Sequence, residues 1–320
     1  MDVGEAIDNI ARDTEEIIEL EDLRKLIESD DEKVAYVGFE PSGKIHLGHA
    51  LTIRRMMALR DAGFKIKIFI ANLHAYLNGK GTLDELDELA ESNIKSFKAL
   101  GLVDDTEYII GSDRITPEYM IKVFQAAQMI TISRAQRSMA QVSRDKDNHN
   151  VAEALYPIMQ ALDMYSLGVS VAVGGMEQRK IHMLAREILP KVGYPAPVCI
   201  HIPLIHGTDG SDKMSSSKGN FVAVDDDEKT IKDKINKSFC PIGVVEDNPV
   251  MEIAHYYIFS DNEKIHIERP EKFGGNLDLT ETELHNVYAN EELHPMDLKN
   301  AVADYLIEYL RPVREYMAEN

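Results

Sequence analysis

The sequence predicts an α/β protein: a Rossmann-like parallel-sheet domain with a helical insertion, followed by a mostly helical C-terminal domain. Three observations carry this. Short apolar runs alternate with helix-patterned stretches from about residue 33 to residue 202. A Pro41-Ser-Gly43 turn ends the first run, and the next helix opens on His46-Leu-Gly-His49. A glycine-flanked loop carrying Lys213-Met-Ser-Ser-Ser217 follows the last run.

Residues 3–30 read as helical, because Ile7, Ile10, Ile17, Ile18, Leu23 and Leu26 recur at helix-like spacing. Residues 33–39 form a strand that the Pro-Ser-Gly turn ends. A helix over 47–62 stops at Gly63, and 64–73 alternates lysine with bulky apolar residues, as a strand does. A helix over 83–100 is capped by Gly101, and 107–110 is strand. Residues 115–145 form one or two helices that interrupt the alternation. It resumes with helix 152–167, strand 170–173, helix 176–189 and strand 198–202. Asp225-Asp-Asp-Glu228 opens a further helix with charge suited to its N-terminus. Beyond it, 250–259, 280–288 and 296–316 are helical, with a β-like piece at 263–267. The domain reading is a helical segment over 1–30, a Rossmann-like domain over 31–220 with its insertion at about 114–150, and a second domain over 221–320. No repeat or low-complexity segment interrupts it.

At 320 residues, with 44% hydrophobic content, the chain can bury a substantial core. No apolar stretch approaches a membrane span, and the acidic, amphipathic start is unlike a signal or transit peptide. Cys199 and Cys240 make no zinc pattern and at most one disulfide, and a soluble protein of a reducing cytosol, without a resident metal, is expected. The net charge of −20 argues at first against a nucleic-acid partner. Its distribution argues otherwise: residues 121–144 hold no acid but include Lys122, Arg134, Arg137 and Arg144. A second basic cluster comprises Arg179, Lys180, Arg186 and Lys191. A local track for a phosphate backbone is one reading; a solvated helix face is the other.

The chemistry-bearing residues fall into two groups. His46 and His49, at i and i+3 where strand gives way to helix, aim two imidazoles at one point. Gly48 lets backbone approach a ligand, and the helix's free N–H groups favour anions. Lys213 and its three hydroxyls supply donors from a loop able to close over a triphosphate, so together the segments suit charge developing on phosphate. Capped, partly buried histidines are the alternative. The second group is Tyr156, Gln160 and Asp163, stacked on one helix face at i, i+4 and i+7. Asp163 is the only charged residue over 154–176, so it is either a ligand contact or a structural carboxylate with a buried partner. His74 and Phe69 admit both a site-lining and a core role.

His46-Leu-Gly-His49 resembles the first signature of class I aminoacyl-tRNA synthetases, and Lys213-Met-Ser-Ser-Ser217 the second, in a serine variant. Tyr36-Val-Gly-Phe-Glu-Pro-Ser-Gly43, Leu73-His-Ala-Tyr-Leu-Asn78, Tyr156-Pro-Ile-Met-Gln160, Gly174-Gly-Met-Glu-Gln-Arg-Lys180 and His294-Pro-Met-Asp-Leu-Lys299 narrow the likeness. They resemble the archaeal and eukaryotic type of tyrosyl-tRNA synthetase, over about residues 30–310. The resemblance implies activation of L-tyrosine by ATP with Mg2+, then transfer to tRNA(Tyr), in the cytoplasm, by a homodimer.

It also implies residue roles. His46, His49, Lys213, Ser215 and Ser216 would act on the phosphates. Pro41, Ser42, Gly43, Gly48, Met214 and Ser217 would contact the nucleotide, with Met214 under adenine. Asp163 and Tyr36 would bind the substrate phenol; Tyr156, Gln160 and Gln178 its ammonium group; Gly38 and Glu40 would line the pocket. Arg137, Arg179 and Lys180 would meet the acceptor stem. Phe273, His294 and Asp297 would read the anticodon, making residues 221–320 an anticodon-binding domain. Met129, Ile130 and Met139 suit a homodimer contact, with a core role as the alternative. Ser216 stands where many relatives carry lysine, and Lys218 is the nearest substitute cation.

Overall fold

The computed structural model describes residues 2–103, 105–143 and 150–320; Arg144 of the basic track lies outside them. The Rossmann-like sheet comprises β1 (Glu16–Ile18), β2 (Val34–Phe39), β3 (Lys65–Ile70), β4 (Thr106–Ile110), β5 (Val171–Gly175) and β6 (Val198–Ile202). Its order is β1-β6-β5-β2-β3-β4. The five strands β2 to β6 pair parallel, and β1 adds antiparallel to β6. From β2 the chain proceeds to β3 and β4 on one side, whereas β5 leads to β6 on the other. The crevice at the carboxyl ends of β2 and β5 is therefore the topological switch point, where such sheets bind ligands.

The buried strands read as the physics requires. β6 is buried along its whole length, and β3 alternates only at its lysine-bearing start. Helices at 47–61, 83–99, 151–166 and 179–188 follow the expected spans to within three residues at each end. Among its described residues the insertion holds two α-helices, Pro117–Ala127 and Ile132–Met139, each begun by a threonine N-cap.

Three expected elements are shaped differently. The 3–30 segment is two helices, Val3–Ala11 and Leu20–Glu28, separated by β1. Asp13 turns the chain at φ 54°, and the backbone N–H of Glu15 then donates to His201 at 2.9 Å, which seeds the extra strand. The strand expected over 64–73 ends at Ile70, and Asn72–Leu77 is helical. The C-terminal helix expected over 296–316 is two, Pro295–Tyr309 and Arg311–Glu319, the second with a proline in its first turn.

Contacts divide the chain into two compact units. The first comprises residues 1–43, 52–94 and 101–203 and contains the sheet. The second comprises 44–51, 95–100 and 204–320. Within the second, helix Glu228–Lys237 packs against Pro295–Tyr309, and the buried Lys299 ammonium donates to the Asn236 carbonyl at 3.1 Å. That places a cation at a helix C-terminus, where the backbone dipole favours it. A hairpin of β7 (Ile265–Ile267) and β8 (Leu277–Leu279) completes this unit.

Candidate active site

The second unit holds both phosphate-type signatures. His46 forms an antiparallel bridge with Ala223, flanked by Leu47 N–H to Val222 O at 3.1 Å and Val224 N–H to Ile45 O at 3.0 Å. Segments far apart in sequence are thus held side by side through backbone. The two imidazoles lie 3.9 Å apart between centroids. Gly48 N–H donates to His46 Nδ1 at 3.1 Å, and His46 N–H donates to His49 Nδ1 at 3.2 Å. An Nδ1 that accepts carries no proton, so each ring bears its hydrogen on Nε2. Both histidines are thereby the Nε2–H tautomer.

Burial, then the charges of His49 and Lys213, hold His46 well below the usual imidazole range, so it is neutral near pH 7. Lys213 is exposed yet near enough for its charge to be felt at His46. The amide protons of Leu47 and Gly48 are already bonded, so these helix-start groups are not the free anion donors expected. A Cβ at Gly48 would lie 3.1 Å from the His46 ring, so a larger residue there would press on the imidazole. Met214 is buried and its N–H donates to Ile205 O at 2.7 Å. Ser215 and Ser217 hydroxyls lie 3.0 Å apart, and Ser216 opens a short 3₁₀ turn ended by Gly219.

The first unit holds the other group, around the ends of β2 and β5. Asp163 is 1% exposed. Its Oδ1 accepts the Tyr119 hydroxyl at 2.8 Å, while among the described residues Oδ2 has no hydrogen-bond partner. His74 Nε2 lies 3.4 Å from that oxygen without hydrogen-bond geometry. Burial pushes the Asp163 carboxyl up to about 7, against the pull of Tyr119 and Arg114. Burial pushes His74 down to about 4, so it is neutral. Tyr36, on β2, is buried beside Phe69 with its phenol held protonated by burial and by Asp163. A Cβ at Gly38 would come within 2.7 Å of the Tyr36 hydroxyl, which only glycine avoids.

Tyr156 packs edge-on against His74 at 4.7 Å, and its phenol bonds Glu40. Glu40 also pairs with Lys80 and accepts from Asn78 at 3.3 Å. Gln160 donates to Gln178 at 3.3 Å, joining helix Val151–Ser166 to the turn after β5. Pro41 is buried, Ser42 is half-buried, and Gly43 (φ 133°) has its carbonyl bound by the buried Asn93 at 2.8 Å. Tyrosine-type and phosphate-type residues thus cluster as two groups, each within its own unit.

The remaining residues are placed as follows. Arg137 and Lys180 are exposed; Arg179 bonds Glu16 at 2.5 Å, and Arg134 and Lys191 pair with Glu187. Phe273 is 60% exposed. His294 caps helix Pro295–Tyr309 by accepting Met296 N–H at 3.1 Å, and Asp297 sits in its first turn. Met139 is core, packed with Tyr156 and Ile181, which settles its alternatives in favour of the interior. Tyr119 escaped sequence reasoning, although Tyr119, Val123 and Ala126 at i, i+4 and i+7 mark the buried face of their helix.

A carboxyl that titrates near 7 when folded, against 3.8 when unfolded, holds a proton in the native state that the unfolded chain releases. Its contribution to stability therefore falls as pH rises between those values. Asp163→Asn should raise the melting temperature relative to the parent at pH 8, with the difference shrinking toward pH 4. A difference independent of pH in thermal scans would contradict the buried carboxyl.

The family profile for class I tRNA synthetases of the tryptophan and tyrosine type matches residues 28–311. Tyrosine--tRNA ligase of Methanosphaera stadtmanae is 72% identical over 320 residues, covering 100% of both chains. That of Methanobrevibacter smithii is 53% identical, again over 100% of both. The crystal structure of a tyrosyl-tRNA synthetase from Archaeoglobus fulgidus, complexed with L-tyrosine, superposes with TM-score 0.92 at 47% identity, covering 99% of this chain and 100% of that one. A buried carboxylate with one oxygen left open, a paired-imidazole turn bridged to the segment that follows a lysine-serine loop, and these likenesses agree: the chain belongs to the class I tyrosyl-tRNA synthetases, the tyrosine--tRNA ligases.

Proposed function

We propose that the two residue groups divide the labour of tyrosine activation. The ligase joins L-tyrosine to tRNA(Tyr) at the expense of ATP. In the first step the tyrosine carboxylate attacks the α-phosphorus of ATP, forming an acyl–phosphate bond as the bond to pyrophosphate breaks. His46 and His49 donate from Nε2 to the phosphate oxygens as charge moves onto them, and the Lys213 ammonium, with Ser215, Ser216 and Ser217 beside it, neutralises the departing pyrophosphate. Magnesium belongs to the substrate, carried on the ATP phosphates. Met214, Gly48 and the Pro41–Gly43 turn shape the nucleotide's surroundings. In the second step a ribose hydroxyl of the terminal adenosine of tRNA attacks the tyrosyl carbonyl, and AMP leaves. No protein nucleophile is needed.

Asp163 Oδ2, buried and unpartnered among the described residues, is the observation that carries the choice of amino acid. The substrate phenol donates to it and accepts from Tyr36. Phenylalanine would leave both groups unpaired in a buried site, a cost for which tyrosine selection by this family is the standard illustration. Tyr156, Gln160 and Gln178 hold the ammonium group, and Gly38 and Glu40 complete the wall. Tyrosine-, phenylalanine- and tryptophan-dependent exchange of pyrophosphate into ATP tests this. The parent should respond to tyrosine, and Asp163→Ala should lose most of its preference over phenylalanine. Activity with tryptophan alone, or unchanged preference in the variant, would overturn the assignment.

Asp297, Phe273 and His294 are assigned to the anticodon, with the Asp297 carboxylate suited to the N1–H and N2–H₂ donors of guanine. Arg137, Arg179 and Lys180 are assigned to the acceptor stem. Asp297→Ala should slow tRNA charging about tenfold or more while leaving pyrophosphate exchange unchanged, the lost contact being worth roughly 1–3 kcal/mol. Equal damage to both steps would make Asp297 a purely structural helix-start acid.

The reading also takes the chain as a cytoplasmic homodimer. Ile121, Phe124 and Ile132, on the two insertion helices, are 56%, 54% and 72% exposed, and a second copy is the partner that covers them. Light scattering should give twice the 36.0 kDa chain mass; a monomer at micromolar concentration would contradict it.

A further inference from the structure

The loop that carries Lys213 is closed around one side chain. Asn220 is 4% exposed. Its Nδ2 lies 2.8 Å from Ser211 Oγ, 3.0 Å from Asp209 Oδ1 and 3.2 Å from Lys213 O. Its Oδ1 accepts the Ser215 N–H at 2.9 Å, and its backbone carbonyl accepts from Thr208 at 2.9 Å. Two amide protons therefore serve three acceptors, so one proton is shared, and Oδ1 accepts as well. The bonds fall on both sides of the lysine: its own carbonyl, and the amide two residues on.

Two neighbours are fitted to this arrangement. The Asp209 carboxyl is held down to about 2 by Ser211 and Asn220, so it is an anion that keeps accepting. A Cβ at Gly207 would lie 2.1 Å from Asn220 Nδ2, so the loop base closes only on glycine. Ser211 bonds Asp209 as well, at 2.7 Å. Asp209, Ser211, Lys213 and Ser215 are thus all tied to one amide, in addition to the bonds that Gly207, Asp209, Gly210 and Ser211 make among themselves.

We infer that Asn220 is a positioning residue for the activation step: it holds the loop so that the Lys213 ammonium is already ordered when nucleotide arrives. An interaction aligned beforehand stabilises developing charge without ordering a loop at the transition state. The inference rests on the role assigned to Lys213 above. It differs from a purely structural role, because the loop can lose its order while the fold and the tyrosine pocket keep theirs.

Tyrosine-dependent pyrophosphate exchange and limited trypsin digestion, run side by side on the full chain, test it. Asn220→Ala should lower kcat at least tenfold, leave KM for tyrosine unchanged, and speed cleavage after the exposed Lys213 and Lys218. Asn220→Asp sets a carboxylate against Asp209 and should be no better than alanine. Adding Asp209→Asn to it restores a donor and should recover part of the lost kcat. Parental kcat with parental cleavage in Asn220→Ala, or no recovery in the folded double variant, overturns the inference. Should Asn220→Ala fail to fold, the comparison of Asn220→Asp with the double variant decides alone. Lys213→Ala serves as reference: if it exchanges normally, the role of Lys213 fails, independently of Asn220.

Discussion

In the proposed mechanism, a short antiparallel bridge between His46 and Ala223 is the constraint on which the chemistry depends. It joins the first signature to the segment following the second, and does so through backbone, whose geometry no side-chain rotation can alter. The Tyr257 hydroxyl also donates to the Leu47 carbonyl, fastening the start of the histidine helix to the same unit. Lys44 and Asp225 add an ion pair at 2.8 Å, but the lysine is 57% exposed, so that pair contributes little to stability. Alignment comes from the bridge. With Nδ1 of both imidazoles occupied as acceptors, the Nε2 donors are fixed in identity before any phosphate is present. Catalysis of this kind needs donors whose orientation costs nothing at the moment of reaction.

The tyrosine-type pocket follows a different logic, that of a deliberate deficit. Burying Asp163 beside neutral His74 and protonated Tyr36 disfavours its charge, and Tyr119 offsets only part of that. In the proposed reading, the open oxygen is a cost in the free protein that a phenol can relieve and a benzene ring cannot, which would give selectivity and instability one source. The same site explains why Gly38 interrupts a strand otherwise suited to larger residues: the Tyr36 hydroxyl occupies the space a side chain would need.

Much of this was legible from residues alone. Strand–helix alternation foretold the parallel sheet because buried strands must be apolar throughout, and the two signatures stand out because histidine pairs and lysine-serine runs are rare in such positions. Pairings with no local signature were not legible. Glu16–Ile18 carries apolar residues at spacing that suits a helix, yet β6 offers an open edge and the Asp13 turn delivers the segment to it. Tyr119 lies in an insertion whose motif content is low, and its value comes from what it faces across the fold. Asn220 reads as a loop residue next to glycine; only the closed loop shows its amide bonded to Asp209, Ser211, Lys213 and Ser215. Met139 was divided between surface and interior, and its contacts with Tyr156 and Ile181 decide for the interior.

The central claim, that His46 and Lys213 act on one nucleotide, is tested most directly by a double-mutant cycle on single-turnover formation of tyrosyl-adenylate. Parent, His46→Asn, Lys213→Ala and the combined variant are compared. Groups sharing one phosphate chain should be coupled by about 1 kcal/mol or more, roughly fivefold in rate. Losses that simply add, within about 0.5 kcal/mol, would show that the two signatures do not meet at the same substrate.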